Sequence, residues 1–169
     1  MGKTTFFQSW HLLTKATQEV EACPTLDAIL EVLRDRARAI ACADGVAVVR
    51  READEVVYVG EDAITPLWTG RRFAIRTCVS GLAILHRTPI LIPDILTDDR
   101  VPLNAYLSTF VRSMALFPIG AGRPVAALGC YWAEPQLVAD DVLYLINSLT
   151  RSANASLERL AIIEERERT

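Results

Sequence analysis

The chain has 169 residues, a length that suits one domain with a real core. With 51% hydrophobic and 23% charged residues, the composition excludes disorder. A net charge of -3, with scattered basic residues and no aromatic-interleaved basic stripe, argues against nucleic acid or an acidic membrane as partner.

Phe6, Trp10, Leu13, Thr17 and Val20 recur at spacings of four and three, which predicts an amphipathic helix over about 5–22. Pro24 interrupts it. Thr25 is placed to cap a second helix, with Asp27 in its first turn and Leu26, Ile29, Leu30, Leu33, Ala37 and Ile40 on one stripe. That helix is expected to end near Ala43-Asp44-Gly45. Two β-branched runs follow, Val46–Arg50 and Val56–Val59, joined through Glu52-Ala53-Asp54-Glu55 as a hairpin. A looser stretch with Pro66, Trp68 and Gly70 leads to a short run at Arg72–Ile75. Ser80 is the expected cap of a brief helix through Leu85, with His86 and Arg87 at its negative end. Ile90-Leu91-Ile92 reads as a strand, Asp98 to Pro102 as a turn, and Leu103 to Phe110 as a short helix. Strands at Ser113–Ile119 and Pro124–Trp132 meet at Gly120-Ala121-Gly122, and a last helix covers about 140–167.

Hairpins rather than crossovers join the strands, so the expected fold class is α+β. The expected sheet is antiparallel with five or six strands. Long N- and C-terminal helices would cover one face and short helices and loops the other. The whole of 1–169 reads as one domain with a core over about 26–157, and no internal repeat or linker interrupts it.

No apolar run reaches the roughly 20 residues that span a bilayer. No basic stretch followed by an apolar one forms a leader at the N-terminus, so the chain is expected to be cytoplasmic and away from membranes. Cys23, Cys42, Cys78 and Cys130 form no C-x-x-C pair. They are expected to be reduced, with Cys42 and Cys130 buried. Gly2-Lys3-Thr4 lacks the earlier glycine and the strand of a phosphate-binding loop. His11 and His86 are far apart in the chain and read as surface or capping residues, so no metal is expected.

The middle of the chain resembles the GAF family. The stretch from Cys78-Val-Ser-Gly through Pro93-Asp94-Ile95 is similar to that family's glycine-led helix and a strand ending in aspartate. Asp98-Asp99-Arg100 resembles its aspartate-arginine turn, and Arg112 to Gly120 its next core strand. The likeness covers about 26–157 and looks closest to GAF domains that precede the kinase core of bacterial sensor histidine kinases. It implies a small ligand held between the sheet and the short elements, and terminal helices that pair two copies and pass a signal to a kinase or other output domain. No such output domain is read in the 169 residues, which form either a free-standing module or a segment of a longer protein.

Tyr58, Trp68, Phe73, Cys78, Tyr106, Phe110, Arg112, Met114 and Tyr131 are the candidate pocket residues, although each aromatic is also an ordinary core residue. Arg71, Arg72 and Arg112 either neutralise an anionic ligand or, the preferred reading, pair with Asp94, Asp98 or Asp99. The enzymatic branch of the family, the free methionine sulfoxide reductases, resembles a Gly-Val-Cys-Gly motif where this chain has Cys78-Val79-Ser80-Gly81. With serine at the expected cysteine and no second cysteine between Val101 and Val111, Cys78 is the remaining thiol candidate. The residue sets of cyclic-nucleotide binding and covalent bilin attachment are absent. The ligand, if any, is therefore unknown and non-covalent.

The terminal helices carry a second pattern. Ile146, Leu149, Ala153, Ser156, Leu160 and Ile163 keep heptad spacing amid charged neighbours. Phe6, Trp10, Leu13, Val20, Leu149, Ala153, Leu160 and Ile163 are the candidate homodimer interface, as a four-helix bundle. The expected function is a non-catalytic sensory module. The alternatives are a small thiol reductase acting on oxidised methionine and a purely structural dimerisation module.

Overall fold

A computed structural model describes residues 1–168; Thr169, the last residue of the expected domain, lies outside the described residues. Two helices open the chain, α1 at Lys3–Glu21 and α2 at Leu26–Ala41. Thr25 caps α2, its hydroxyl accepting from the Ala28 amide at 3.1 Å. The hairpin β1 (Gly45–Glu52) and β2 (Glu55–Ala63) turns through Ala53 and Asp54. Then come β3 (Arg72–Ala74), α3 (Val79–His86) and β4 (Ile90–Ile92), followed by a 3-10 turn at Ile95–Thr97 and the one-turn α4 (Leu103–Tyr106). The hairpin β5 (Ser113–Ile119) and β6 (Ala126–Trp132) leads to α5 (Asp140–Arg168).

The described strands form one antiparallel sheet in the order β3-β2-β1-β6-β5-β4. The architecture is α+β, as the hairpin pattern predicts. Alternation splits the central strands between two cores. Val46, Val48, Ala115, Phe117, Ile119, Leu128, Cys130 and Trp132 face a layer made of α1, α2 and α5. Ala47, Val49, Met114, Leu116, Ala127 and Tyr131 face the short elements on the other side.

Within the helical layer α1 and α5 run side by side in the same direction. Met1 and Gly2 lie near Ala139 and Val142, Trp10 stacks on Tyr144 at 6.1 Å, and Leu26 lies near Leu157 and Leu160. At 1.5 Å per residue α5 is about 44 Å long and outruns this layer. Residues 161–168 are all exposed.

Four expectations need correction. Cys42 is exposed rather than buried: it stands two residues past Ile40, off the apolar stripe, and takes the left-handed C-cap conformation of α2 (φ 52°). Cys130 is buried, and burial pushes its thiol up to about 12. The cap of α3 is Cys78, whose sulfur accepts from the Gly81 amide at 3.4 Å; Ser80 lies inside the first turn. The short helix expected to reach Phe110 ends at Tyr106. Leu13, Val20, Leu149 and Ala153, expected at a dimer interface, are at most 4% exposed and form part of the chain's own core. α5 packs on the sheet and α1 packs against α2 and α5, so those positions are buried within the chain.

The N-terminal turn of α3 packs so closely on the preceding segment that a Cβ at Gly81 would overlap the carbonyl oxygen of Ile75. Alanine is intrinsically the better helix former by about 1 kcal/mol. The contact with backbone reverses that sign. Gly81→Ala is expected to lower the unfolding free energy by about 3 kcal/mol, the upper end of overpacking costs, read as a lower urea midpoint at unchanged m.

Candidate functional site

The register of β1 on β2 pairs Val48 with Gly60 and Val49 with Tyr58, leaving Val59 as an extra residue in a β-bulge. Tyr58 opposite Val49 and Glu61 opposite Ala47 therefore share the face away from the helices, although three positions apart. Without the bulge they would point to opposite sides.

Glu61 uses that placement to organise the following loop. Its carboxylate accepts from the amides of Leu67 (2.7 Å), Trp68 (2.9 Å) and Thr69 (2.8 Å) and from the Thr69 hydroxyl (2.6 Å). Burial works to raise the Glu61 carboxyl, but the Thr69 hydroxyl and the three amides outweigh it and hold it below its ordinary value. The loop so held drives Trp68 under the sheet. Its indole N–H donates to the Ala105 carbonyl at 2.9 Å. Its ring lies 4.9 Å from Tyr106, 5.2 Å from Tyr131 and 5.3 Å from Tyr58, with Phe73 a further 5.6 Å from Tyr58. These tilted and edge-on geometries are those that aromatic quadrupoles favour.

Beside the rings stands a small polar group. The hydroxyls of Tyr58 and Ser80 share a hydrogen bond at 3.1 Å. The Tyr131 hydroxyl is fully buried close to both of these groups but makes no well-formed hydrogen bond. It folds back over Gly129, where a Cβ would collide with it. Burial pushes the phenols of Tyr58, Tyr106 and Tyr131 well above their ordinary value, so all three are neutral donors. Cys78 is 4% exposed, and burial raises its thiol against the opposing Gly81 amide.

The structure thus gathers Tyr58, Trp68, Cys78, Tyr106, Met114 and Tyr131 into one cluster with Phe73 and Phe110 packed against it. The rings themselves occupy the space between the sheet and α3. Arg112, two residues before Met114 and on the same side of the sheet by alternation, is held by Asp94 at 3.4 Å, as the preferred pairing expects. Its Nε is buried without a partner. Arg72 pairs instead with Glu52 at 2.5 Å, and Arg71 lies 4.9 Å from the Phe73 ring. Asp98 accepts from Arg100 at 2.7 Å to close the aspartate-arginine turn, and that guanidinium holds Asp98 below its ordinary value. Ser80, Glu61 and the bulge were not anticipated as site features. A lone glutamate before Trp-Thr-Gly was the available signal for Glu61. Among the described residues, no three His, Cys, Asp or Glu side chains converge as a metal site.

No family model matches the chain, and no curated protein matches it in sequence. Solved structures do match it in shape. The GAF domain of an Acinetobacter phosphoenolpyruvate-protein phosphotransferase is similar with a TM-score of 0.74 at 11% identity, over 98% of this chain and 99% of that one. The GAF domain of the corresponding protein from Coxiella burnetii gives 0.76 at 17% identity, over 95% and 98%. The fold is that of GAF domains. A free methionine-R-sulfoxide reductase from Neisseria meningitidis, solved in complex with its substrate, shares it with a TM-score of 0.79 at 14% identity, over 96% and 95%. The GAF fold therefore carries both regulatory domains and an enzyme, and at these identities the likeness speaks for the fold alone.

The Glu61 carboxyl yields a test. A carboxyl depressed by folding contributes stability that is present above its unfolded value, about 4.3, and lost as pH falls through the folded one. Glu61→Gln sets an amide NH2 against one of the loop N–H donors. The substitution is expected to cost about 1–3 kcal/mol at pH 7. That difference from the unmodified chain should shrink below about pH 4. Urea unfolding at pH 7 and pH 3.5 reads both effects, and loss of Trp68 fluorescence shielding reports the released loop.

Proposed function

We propose that this chain is a non-catalytic regulatory GAF module that holds a small molecule against the sheet beneath α3 and passes its state on through α1 and α5. The observation that carries this reading is the Tyr131 hydroxyl. It is fully buried and lacks a well-formed bond, beside two hydroxyls that are already paired with each other, and a buried hydroxyl left in that state costs free energy that a ligand acceptor would recover. The Tyr58–Ser80 pair beside it and the unpartnered Arg112 Nε on the same side of the sheet add polar anchors in an otherwise apolar setting, as small-molecule sites have. A ligand would enter by displacing Trp68 from among the three tyrosines, with the loop over 64–71 as the moving part.

Thiol catalysis has less support. A reactive cysteine is exposed and shifted toward thiolate, whereas Cys78 is buried, shifted the other way and engaged as the cap of α3.

Native mass spectrometry of protein taken directly from cells is expected to show a retained small molecule on the unmodified chain and its loss in Tyr131→Phe. The variant should stay within about 1 kcal/mol of the parent in stability, because the hydroxyl makes no well-formed bond to lose. Apo mass for the unmodified chain, or unchanged retention in Tyr131→Phe, overturns the assignment of this site.

The output route in this reading is a second copy packed along the helical layer. Its support is the aromatic strip left exposed there, Phe7 (60%), Trp10 (43%) and Tyr144 (50%), together with Ile162 and Ile163 on the protruding end of α5. Phe6 and Leu160 are half-buried beside them. Aromatic anchors of this kind dominate interface energies, and a two-fold partner presents the same strip in return. Sedimentation at tens of micromolar is expected to give a dimer for the parent and a folded monomer for Trp10→Glu combined with Ile163→Glu. A monomeric parent removes this part of the proposal and leaves the ligand site standing.

A further inference from the structure

A second polar region lies at the other end of the strands, away from the ring cluster. Where β5 ends, the turn over 120–122 leads into β6, and Pro89 enters β4 alongside. The part of α5 from Asn147 to Asn154 passes over this end. Between them is a groove of about 430 Å³ whose lining includes Arg87, Phe117, Gly122, Arg151 and Asn154, and no aspartate or glutamate.

The charges in this groove are unpaired. Arg38, Arg50, Arg72 and Arg100 each meet a carboxylate. No described carboxylate lies at ion-pair distance from Arg87 or Arg151, nor from Arg123, which is exposed in the turn between the lining residues Gly122 and Pro124. In a chain of net charge -3 with 21 acidic side chains, a groove that gathers guanidinium groups and no carboxylate is a local reversal of sign.

Their orientation is also constrained. Arg87 occupies the left-handed C-cap of α3 (φ 58°), which fixes its backbone at the rim of the groove. Arg151 donates through Nε to the Asn147 carbonyl at 3.3 Å, leaving the two terminal nitrogens of its fork free. Asn154 accepts from the Gly120 amide at 2.7 Å, which identifies its oxygen and leaves its NH2 as a donor with no protein acceptor among the described residues. Two guanidinium forks and an amide supply more donors than one carboxylate can use. A phosphate presents three oxygens and more charge.

We infer that this groove binds a phosphate-bearing small molecule, with Arg87 and Arg151 holding the phosphate and Asn154 donating to it. The site is separate from the ring cluster and does not depend on it. Because Arg87 belongs to the α3–β4 connection and Arg151 to α5, the bound phosphate ties the helix that outruns the domain to the end of the sheet.

Titration of the 15N-labelled chain with sodium pyrophosphate, at ionic strength held with sodium chloride, tests this directly. The Gly120 and Gly122 amides and the Arg151 Nε–H are expected to shift saturably. Combined Arg87→Gln and Arg151→Gln should weaken binding by about tenfold or more, and Arg87→Lys with Arg151→Lys should fall between, keeping charge without the fork. Shifts that sodium chloride alone reproduces, equal affinity for citrate, or unchanged affinity in the glutamine variant each overturn the inference. The lysine variant keeps the comparison where the glutamine one loses its fold. None of these readouts involves Tyr131, so failure here and failure of the ring-cluster site are distinguishable.

Discussion

The central strands β1, β5 and β6 carry apolar side chains on both of their faces, and burying both at once is the constraint from which the rest of the molecule follows. Each CH2 group taken out of water contributes about 0.8 kcal/mol, so neither face can be left open. One face takes α2 and α5, with α1 packed over them. The other takes what remains of the chain, which is too short and too irregular to lay down another helical layer. It is closed instead by α3, the loop over 64–71 and α4, and by side chains large enough to bridge the gaps between them. That is why the aromatic residues collect on this side: Trp68, Tyr58, Tyr106 and Tyr131 stand where a continuous helix would otherwise pack.

Closing a face with loops brings a cost that helices avoid, since loop amides need acceptors. Here one carboxylate meets most of that need. Glu61 reaches three successive amides because the bulge at Val59 turns it to the loop side of the sheet. The same bulge keeps Tyr58 on that side, within reach of Ser80. A local irregularity in one strand thus sets both the anchor of the Trp68 loop and the polar corner beneath α3.

Regular elements were legible in the sequence because each has a periodic or capping signature. Thr25 before the Leu26–Ile40 stripe and the β-branched runs on either side of Asp54 announce α2 and the first hairpin. The glycine-led segment at Cys78 and the Asp98–Arg100 turn carry the resemblance to the fold family, which implies the pocket-side aromatics. Register and contact between distant positions leave no such signature. A bulge adds one residue to a strand without altering its composition, so the face of Glu61 could not be read. Ser80 looked like a cap because serine favours that place, while the neighbouring Cys78 took it. The heptad in α5 was real, but periodicity does not say whether the buried stripe meets another copy or the chain's own sheet. Leu149 and Ala153 meet the chain's own sheet and helices, and only the positions beyond Leu160 outrun it.

The two faces are nevertheless close in covalent terms. On β6, Tyr131 points to the ring cluster while Cys130 and Trp132 on either side point to the helical layer. Trp132 also donates from its indole to the Cys42 carbonyl at the end of α2. The Tyr131 side chain is therefore one peptide unit from residues that pack on the helices. Close-packed interiors do not absorb displacement gradually; neighbouring side chains move together or change rotamer. A shift of the Tyr131 backbone has to be taken up by Trp132 and the C-terminal end of α2, against which α5 also packs. α5 keeps contact with the body as far as Leu160 and is exposed over 161–168. A continuous packed path within the one chain therefore joins the ring cluster at Tyr131, through β6 and α2, to α5.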